Sequence, residues 1–318
     1  MKPFDVITIG SAVRDMMFFT DQAETLPNPK NDPTKAALIG FEYGGKIHSD
    51  KVHRFYGGGA SNTAACFSRL GLRTATCLCV GQDAEGQALV QHLQSIGVST
   101  QYVQSNKQLN TGLSFLVVET KTNEHVAFVN YGANDELELP PTILKHLPNW
   151  FYVSSLSSRH WPTIMRTLTK MQTPIAWNPG AIQLADRRTL LPLLKHIAVL
   201  ILNRDEAIEL YQAEASTAQL AKALHLLGPH LVVVTDSKRG ACVFDGQTLY
   251  HDKPKLTKPK DTTGAGDAFG SSFIAGLIKC NGNIKTALRL AILNATGEVS
   301  HIGAQNGLLT WNQIRQKL

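Results

Sequence analysis

The sequence predicts an α/β protein with a mainly parallel central sheet and helices on both faces. Two observations carry this. Short β-rich apolar runs alternate with amphipathic segments along the 318 residues. Several runs (Val6–Ile9, Val199–Leu202 and Leu231–Val234) are continuously apolar, as strands covered on both faces are. No shift in composition marks a second independent domain, so residues 1–318 are expected to form one domain with a small β-lid.

Phe4–Gly10 reads as the first strand. Residues 14–56 then break the alternation. They begin with a Pro/Asn/Asp-rich loop and continue into Ala37–Tyr43 and Lys46–Tyr56 around Gly44-Gly45, a pair that reads as a hairpin. A hairpin inserted here is expected to cover the carboxyl ends of the sheet, where α/β folds bind ligands. Part of 113–130 is a candidate addition to that lid. Apolar residues at helical spacing predict helices over Ala60–Leu70, Ala84–Ile96, Pro162–Met171, Ile182–His196, Arg204–Gln212, Thr217–Leu227, Gly264–Lys279 and Ile284–His301. The intervening strands are Thr74–Val80, Leu113–Glu119, Glu124–Asn130, Phe151–Ser155, Pro174–Asn178, Ile197–Asn203, Leu231–Asp236 and Ala241–Asp245.

Composition narrows the function classes. Hydrophobic residues make up 43% and charged residues 18%, as in an ordinary globule with a sizeable core. The net charge of +6 suits an enzyme handling anionic ligands. Lys and Arg are scattered, without a basic stripe and interleaved aromatics, which argues against nucleic acid as a partner. The five cysteines fall mostly in apolar segments and read as reduced core thiols. No apolar stretch reaches ~18 residues and no secretory pattern opens the chain. No membrane association is expected, and the cytoplasm is the expected compartment.

The most informative string is Asp261-Thr262-Thr263-Gly264-Ala265-Gly266-Asp267-Ala268-Phe269. Its glycines let backbone amides approach a ligand closely. The helical apolar run that follows puts those amides at a helix N-terminus, which attracts anions. Asp267 falls in the same turn. An anion cradle holding one acid suggests proton removal beside a phosphate, and an ionised, weakly basic Asp267 is expected there.

Four weaker strings accompany it. Gly57-Gly58-Gly59 opens a second helix, with Asn62 in its first turn, able to donate to and accept from hydroxyl groups. Asp15 lies just beyond the first strand and can accept two hydrogen bonds from a diol. Asn203 and Glu206 share one helical face after an apolar strand and suit Mg²⁺, although a reciprocal helix cap explains the same pair. Thr235–Gly240 is a polar turn able to meet nucleotide phosphates.

Taken together, these strings resemble the ribokinase-like (PfkB) family of carbohydrate and nucleoside kinases, from Gly10 to about Gly307. Gly132–Asp135 and the Gly297–Leu309 tail also look familial. The resemblance implies a ribokinase-like three-layer sandwich that uses ATP and Mg²⁺. It implies Asp267 as general base, with Gly264, Ala265 and Gly266 forming the anion hole. Asp15, Gly58, Gly59 and Asn62 correspond to acceptor-binding positions. Asn203, Thr235 and Gly240 correspond to nucleotide-binding positions. Glu206 with Asn203 would organise Mg²⁺ through water, and Asp261 with Thr263 matches a site for K⁺ in some members. The lid in this family often mediates a homodimer.

Val13 stands where ribokinases proper usually carry Asn, and Gly57–Ala60 lacks their Gly-Gly-Lys, which leaves the acceptor open. An ATP-dependent sugar kinase leads, with ribose, fructose and sugar acids as acceptor types, and a nucleoside kinase is its nearest rival. For the latter, Phe18, Phe19, Phe41 and Tyr43 are candidate walls for a nucleobase. A non-catalytic ligand-binding regulator and a Rossmann oxidoreductase stand further off. For the oxidoreductase, Gly264–Gly270 fits a loose glycine pattern, but the lysine-rich Lys253–Lys260 segment supplies no strand ahead of it.

Overall fold

The computed structural model describes residues 2–28, 37–49, 51–121, 125–255 and 259–318. Residues 29–36 of the Pro/Asn/Asp-rich loop, Glu124 at the head of an expected strand and 256–258 of the lysine-rich segment lie outside the described residues.

The chain begins with β1 (Val6–Ile9), β2 (Val13–Thr20), β3 (Glu24–Pro27), β4 (Ala37–Gly40) and β5 (Lys51–Gly57). Next come α1 (Gly59–Arg69), β6 (Thr74–Cys77), β7 (Cys79–Gly81), α2 (Ala84–Ser95), β8 (Gln104–Asn106), β9 (Gly112–Glu119) and β10 (His125–Asn130). Then follow β11 (Trp150–Val153), α3 (Trp161–Leu168), β12 (Ile175–Trp177), α4 (Ala181–Ala185), α5 (Arg187–Leu190), β13 (Val199–Asn203), α6 (Arg204–Tyr211) and α7 (Thr217–His225). The last elements are β14 (Leu231–Thr235), β15 (Ala241–Phe244), β16 (Leu249–Asp252), α8 (Ala265–Lys279), α9 (Ile284–Glu298) and α10 (Trp311–Arg315).

The main sheet has the order β16-β15-β14-β13-β12-β11-β1-β6. The strands from β14 to β6 run parallel, and β15 and β16 are antiparallel additions at one edge. Helices cover both faces. Phe67 of α1, Phe273 of α8 and Leu290 of α9 pack with Tyr152 and Ile201 on one side. Ile164 of α3, Leu210 of α6 and Leu224 of α7 pack with Val153 and Leu202 on the other. Each fully buried side chain of this size contributes roughly 1.5–3 kcal/mol. This is the expected three-layer sandwich.

A second sheet, β10-β9-β2-β5, is built from the segments in which the lid is expected. Here the sequence reading needs correction. Ala37–Gly40 does not pair across Gly44-Gly45 with the following segment. It pairs with β3, and β5 pairs antiparallel with β2. The reason is β2 itself, which alternates buried and half-buried positions and lies between β5 and β9. Its Arg14 and Asp15 made it read as a loop. Two other segments also differ. The Ile182–His196 helix breaks into α4, α5 and a 3₁₀ turn, because Asp186 caps a new start by accepting from Thr189 N and Pro192 lacks the amide an α-helix interior needs. Thr74–Val80 divides at Leu78, after which β7 leaves the main sheet to pair with β8.

Candidate active site

Asp267 stands in the first turn of α8. Gly264 caps the helix with φ 76°, and a Cβ there would meet Ala304 at 2.5 Å, so the position requires glycine. The first helical hydrogen bond runs from Ala268 N to Gly264 O, which leaves the Gly266 and Asp267 amides ahead of it. The Ala265 amide donates to Thr262 O at 3.2 Å within the turn. A Cβ on Gly266 would meet nothing within 4 Å, so this part of the turn faces open space.

The electrostatics correct one expectation. The helix dipole favours a charged Asp267, but burial outweighs it and pushes the carboxyl up to about 6. The Asn62 amide opposes that shift by donating through Nδ2 to Asp267 Oδ2 at 2.8 Å. Asp267 is therefore a stronger base than its helix position suggests, and it still ionises below neutral pH.

Asn62 is brought there by the glycines before it. Gly58 has φ 92°, and a Cβ on it would strike Ala12 at 2.6 Å. A Cβ on Gly59 would strike Ser154 at 2.6 Å and come within 3.6 Å of Asp267 Oδ1. Both glycines let α1 start against the segments that follow β1 and β11 and against Asp267.

Asp15 sits within lid strand β2, not in a loop after the first strand. It is 8% exposed and receives a hydrogen bond from the Ser114 hydroxyl on β9. Gly57 makes room for it, since a Cβ there would lie 1.9 Å from Asp15 Oδ2. Burial pushes Asp15 up to about 6, and the Asp261 and Asp267 charges add to the shift.

On the main sheet, a pocket of about 170 Å³ opens at the carboxyl ends of β13 and β14. Asn203, Glu206, Thr235, Gly264, Gly266 and Asp267 line it together. The Asn203/Glu206 cap forms as well. Asn203 Oδ1 accepts from Glu206 N, and Glu206 Oε2 accepts from Asn203 N, both at 2.9 Å. The cap uses one oxygen of each residue, so the Asn203 amide nitrogen and Glu206 Oε1 remain for the pocket. Burial pushes Glu206 up to about 6, with Glu209, Asp205 and Asp267 adding to the shift.

Two expected residues are placed less directly. Gly240 has φ 95°, and a Cβ on it would strike Asp252 O at 2.1 Å; it shapes the turn into β15 and does not line the pocket. Asp261 clamps two loops, its Oδ1 accepting from Thr263 N and its Oδ2 from Gly303 N, both at 2.9 Å. Of the candidate lid aromatics, Phe19 shares the Asp15 face of β2 and packs with Met17, whereas the other three lie elsewhere. Phe18 lies on the opposite face of β2 from Asp15 and stacks on Phe115 at 4.5 Å. Phe41 and Tyr43 are exposed.

The sequence reading missed Asn178 and Gln305. Asn178 lines the pocket and donates to Ile201 O at 2.9 Å. Its signal was its place at the end of a buried strand before Pro179-Gly180. Gln305 donates to Asn62 Oδ1 at 3.0 Å from the loop after α9. Its tail had been noted, but nothing in the linear sequence pointed to this side chain.

Comparison with known proteins decides the family. The model of the pfkB family carbohydrate kinases matches residues 27–311. The chain belongs to this family. Its members are phosphotransferases that act on alcohol groups. The ATP-dependent 6-phosphofructokinase of Thermoanaerobacterium thermosaccharolyticum is 25% identical over 95% of this chain and 90% of its own. Arabidopsis thaliana ribokinase, solved with ribose and ATP, superposes with a TM-score of 0.82 at 21% identity, covering 99% of this chain and 98% of its own. Burkholderia thailandensis nucleoside kinase, solved with inosine, gives 0.81 at 18% identity, covering 98% and 97%. Among the described residues, no helix is long and apolar enough to cross a membrane.

Proposed function

We propose that this pfkB-family kinase phosphorylates a hydroxyl of a small sugar with MgATP, using Asp267 as general base. One observation carries the reading. The base carboxylate, the open amides beside it and the Asn203/Glu206 pair line one pocket, and Asp15 lies near enough for its charge to act together with that of Asp267. Phosphoryl transfer needs positioning and charge neutralisation above all. Amides of Gly264–Asp267 would receive the moving phosphoryl group, and Asp15 with Asn62, Gly58 and Gly59 would hold the acceptor. Asn203, Thr235 and the Gly240 turn would meet the nucleotide.

Glu206 fits a hydrated Mg²⁺, because it is a half-buried carboxylate with an oxygen to spare and no cation is among the described residues lining its pocket. The metal would neutralise charge on the ATP phosphates. Each Asp261 oxygen keeps a lone pair for a monovalent cation such as K⁺ beside Thr263.

The lid supports a compact acceptor. On the Asp15 face, Met17, Leu116 and Val118 are buried with Phe19, Phe55 and Ile302 packed against them, an apolar wall that would limit the room for a nucleobase. The opposite face exposes Phe128, Val126, Val52 and Leu113. This apolar surface suits a second copy of the chain, giving a homodimer through the lid. With ATP as co-substrate, the cytoplasm is the compartment this reading implies.

An ATP-consumption screen with pentoses, hexoses, sugar phosphates, sugar acids and nucleosides tests the proposal. Acceptor-dependent ADP release with a sugar is expected. Release with nucleosides alone would replace the sugar reading by the nucleoside one, and no acceptor-dependent release would overturn both.

Asp267 and Asp15 both have to be ionised to work. kcat/KM is therefore expected to fall as pH drops below about 6, more steeply than the roughly tenfold per pH unit of a single ionisation. A flat profile down to pH 5 would contradict both assignments.

A further inference from the structure

Asp267 is the end of a chain of amide groups whose direction is fixed by chemistry. An ionised carboxylate only accepts, so the group facing Asp267 Oδ2 at 2.8 Å is the NH₂ of Asn62. Asn62 Oδ1 then faces Gln305 Nε2 at 3.0 Å and accepts from it. Gln305 Nε2 also reaches Ser61 Oγ at 3.1 Å and Tyr56 O at 3.3 Å. Its other end, Oε1, can only accept, so His92 Nε2 at 2.9 Å carries a proton. The His92 ring stacks on Tyr56 with centroids 4.3 Å apart. The chain thus links α8, α1, the loop after α9, α2 and lid strand β5.

Gln305 is held in place from below. Asp261 Oδ2 accepts from Gly303 N, and Glu298 Oε2 accepts from Gly307 N at 3.0 Å. Both anchors lie on the loop that carries Gln305. Asn62 is 5% exposed, so an amide turned the wrong way would present its oxygen to the Asp267 carboxylate. Among the described residues, Gln305 and Asp267 are the side chains that set that amide's direction.

We propose that Gln305 is a positioning residue for the base: it fixes the Asn62 amide so that its NH₂ donates to Asp267 Oδ2 and leaves Oδ1 for the acceptor hydroxyl. This rests on Asp267 being the base. The side chain acts through Asn62 and touches neither acceptor nor nucleotide.

Gln305→Glu and Gln305→Ala test it, beside the unaltered protein and Asp267→Asn. The glutamate variant keeps size and shape but sets an acceptor against Asn62 Oδ1, forcing the amide to turn over. The alanine variant removes the restraint without adding charge. The first measurement needs no acceptor: a ¹³C NMR titration of the Asp267 carboxyl, assigned by its loss in Asp267→Asn. Its midpoint is expected to move upward in both variants, because the Asn62 donor that opposes burial is lost or misplaced. The groups on which the Asp267 charge bears (Asp15, Glu206, Tyr152 and Cys66) are not substituted in either variant.

The second measurement is kcat with MgATP and the sugar of highest turnover in the screen. A loss of about tenfold or more is expected for Gln305→Glu, a part of the roughly 10²–10⁴ a positioned base contributes. An unchanged titration midpoint with unchanged kcat in folded Gln305→Ala overturns the proposal, even if Gln305→Glu fails to fold. Normal turnover in Asp267→Asn would instead remove the base assignment, while the titration shift would still report the link between Gln305 and Asp267.

Discussion

Replacing Asp15 with alanine is expected to raise the acceptor KM about 100-fold, with the ATP KM within about threefold of its original value. Asp15 is 8% exposed and close enough to Asp267 to feel its charge. Its carboxylate can accept from two acceptor hydroxyls. Hydrogen bonds to a charged group contribute roughly 1.5–3 kcal/mol each, so losing about 3 kcal/mol corresponds to that factor. Stability is not expected to fall with it. Burial already raises this carboxyl to about 6, which shows that the folded state disfavours its charge. Acceptor KM, ATP KM and the unfolding midpoint measured together check this. Equal weakening toward both ligands with a lowered midpoint would mean that Asp15 supports the fold and not the acceptor.

Much of the sandwich was legible in the sequence, because its strands are buried on both faces. Val6–Ile9, Val199–Leu202 and Leu231–Val234 leave little choice when every position must be apolar. The lid was less legible, for a physical reason. β2 carries Arg14 and Asp15 among its apolar residues, and on the proposed reading Asp15 serves the site and not the strand. These two charged residues broke the pattern by which a strand is recognised. The pairing of β5 with β2, whose nearest partners Phe19 and Lys51 are 32 residues apart, is non-local, and local turn signals such as Gly44-Gly45 cannot specify it.

The candidate site divides along the same line. Asp267 and the glycines before it announce themselves, because a helix start that binds anions has a local signature. Asn203 and Glu206 were ambiguous between a cap and a ligand pair. The structure shows that they form the cap and also line the pocket. The raised basicity of Asp267 could not be read in advance, since it comes from burial by distant elements. Asn178 and Gln305 were missed because each matters only through neighbours far along the chain. Ser271 and Ser272, polar residues within buried α8, have local and core partners. Ser271 bonds back to the Asp267 carbonyl, and Ser272 Oγ accepts from buried Asn294 at 2.7 Å.

The largest effect is expected from Asp267→Asn. The substitution keeps shape and can keep a hydrogen bond to Asn62 if one amide turns over. It removes the carboxylate beside the open amides that is proposed to take the acceptor's proton. A positioned base contributes roughly 10²–10⁴ to the rate, and a loss of about 10³ in kcat is expected. Acceptor and ATP binding should change little, because Asp15, the glycine amides and the Asn203/Glu206 pair are untouched. The most direct measurement is a single turnover by rapid quench with MgATP and acceptor both saturating, which separates phosphoryl transfer from binding and product release. A transfer step slowed about 1,000-fold, with dissociation constants for both ligands near those of the unaltered protein, is the predicted result. A transfer step in Asp267→Asn close to the original rate would contradict the assignment of the base.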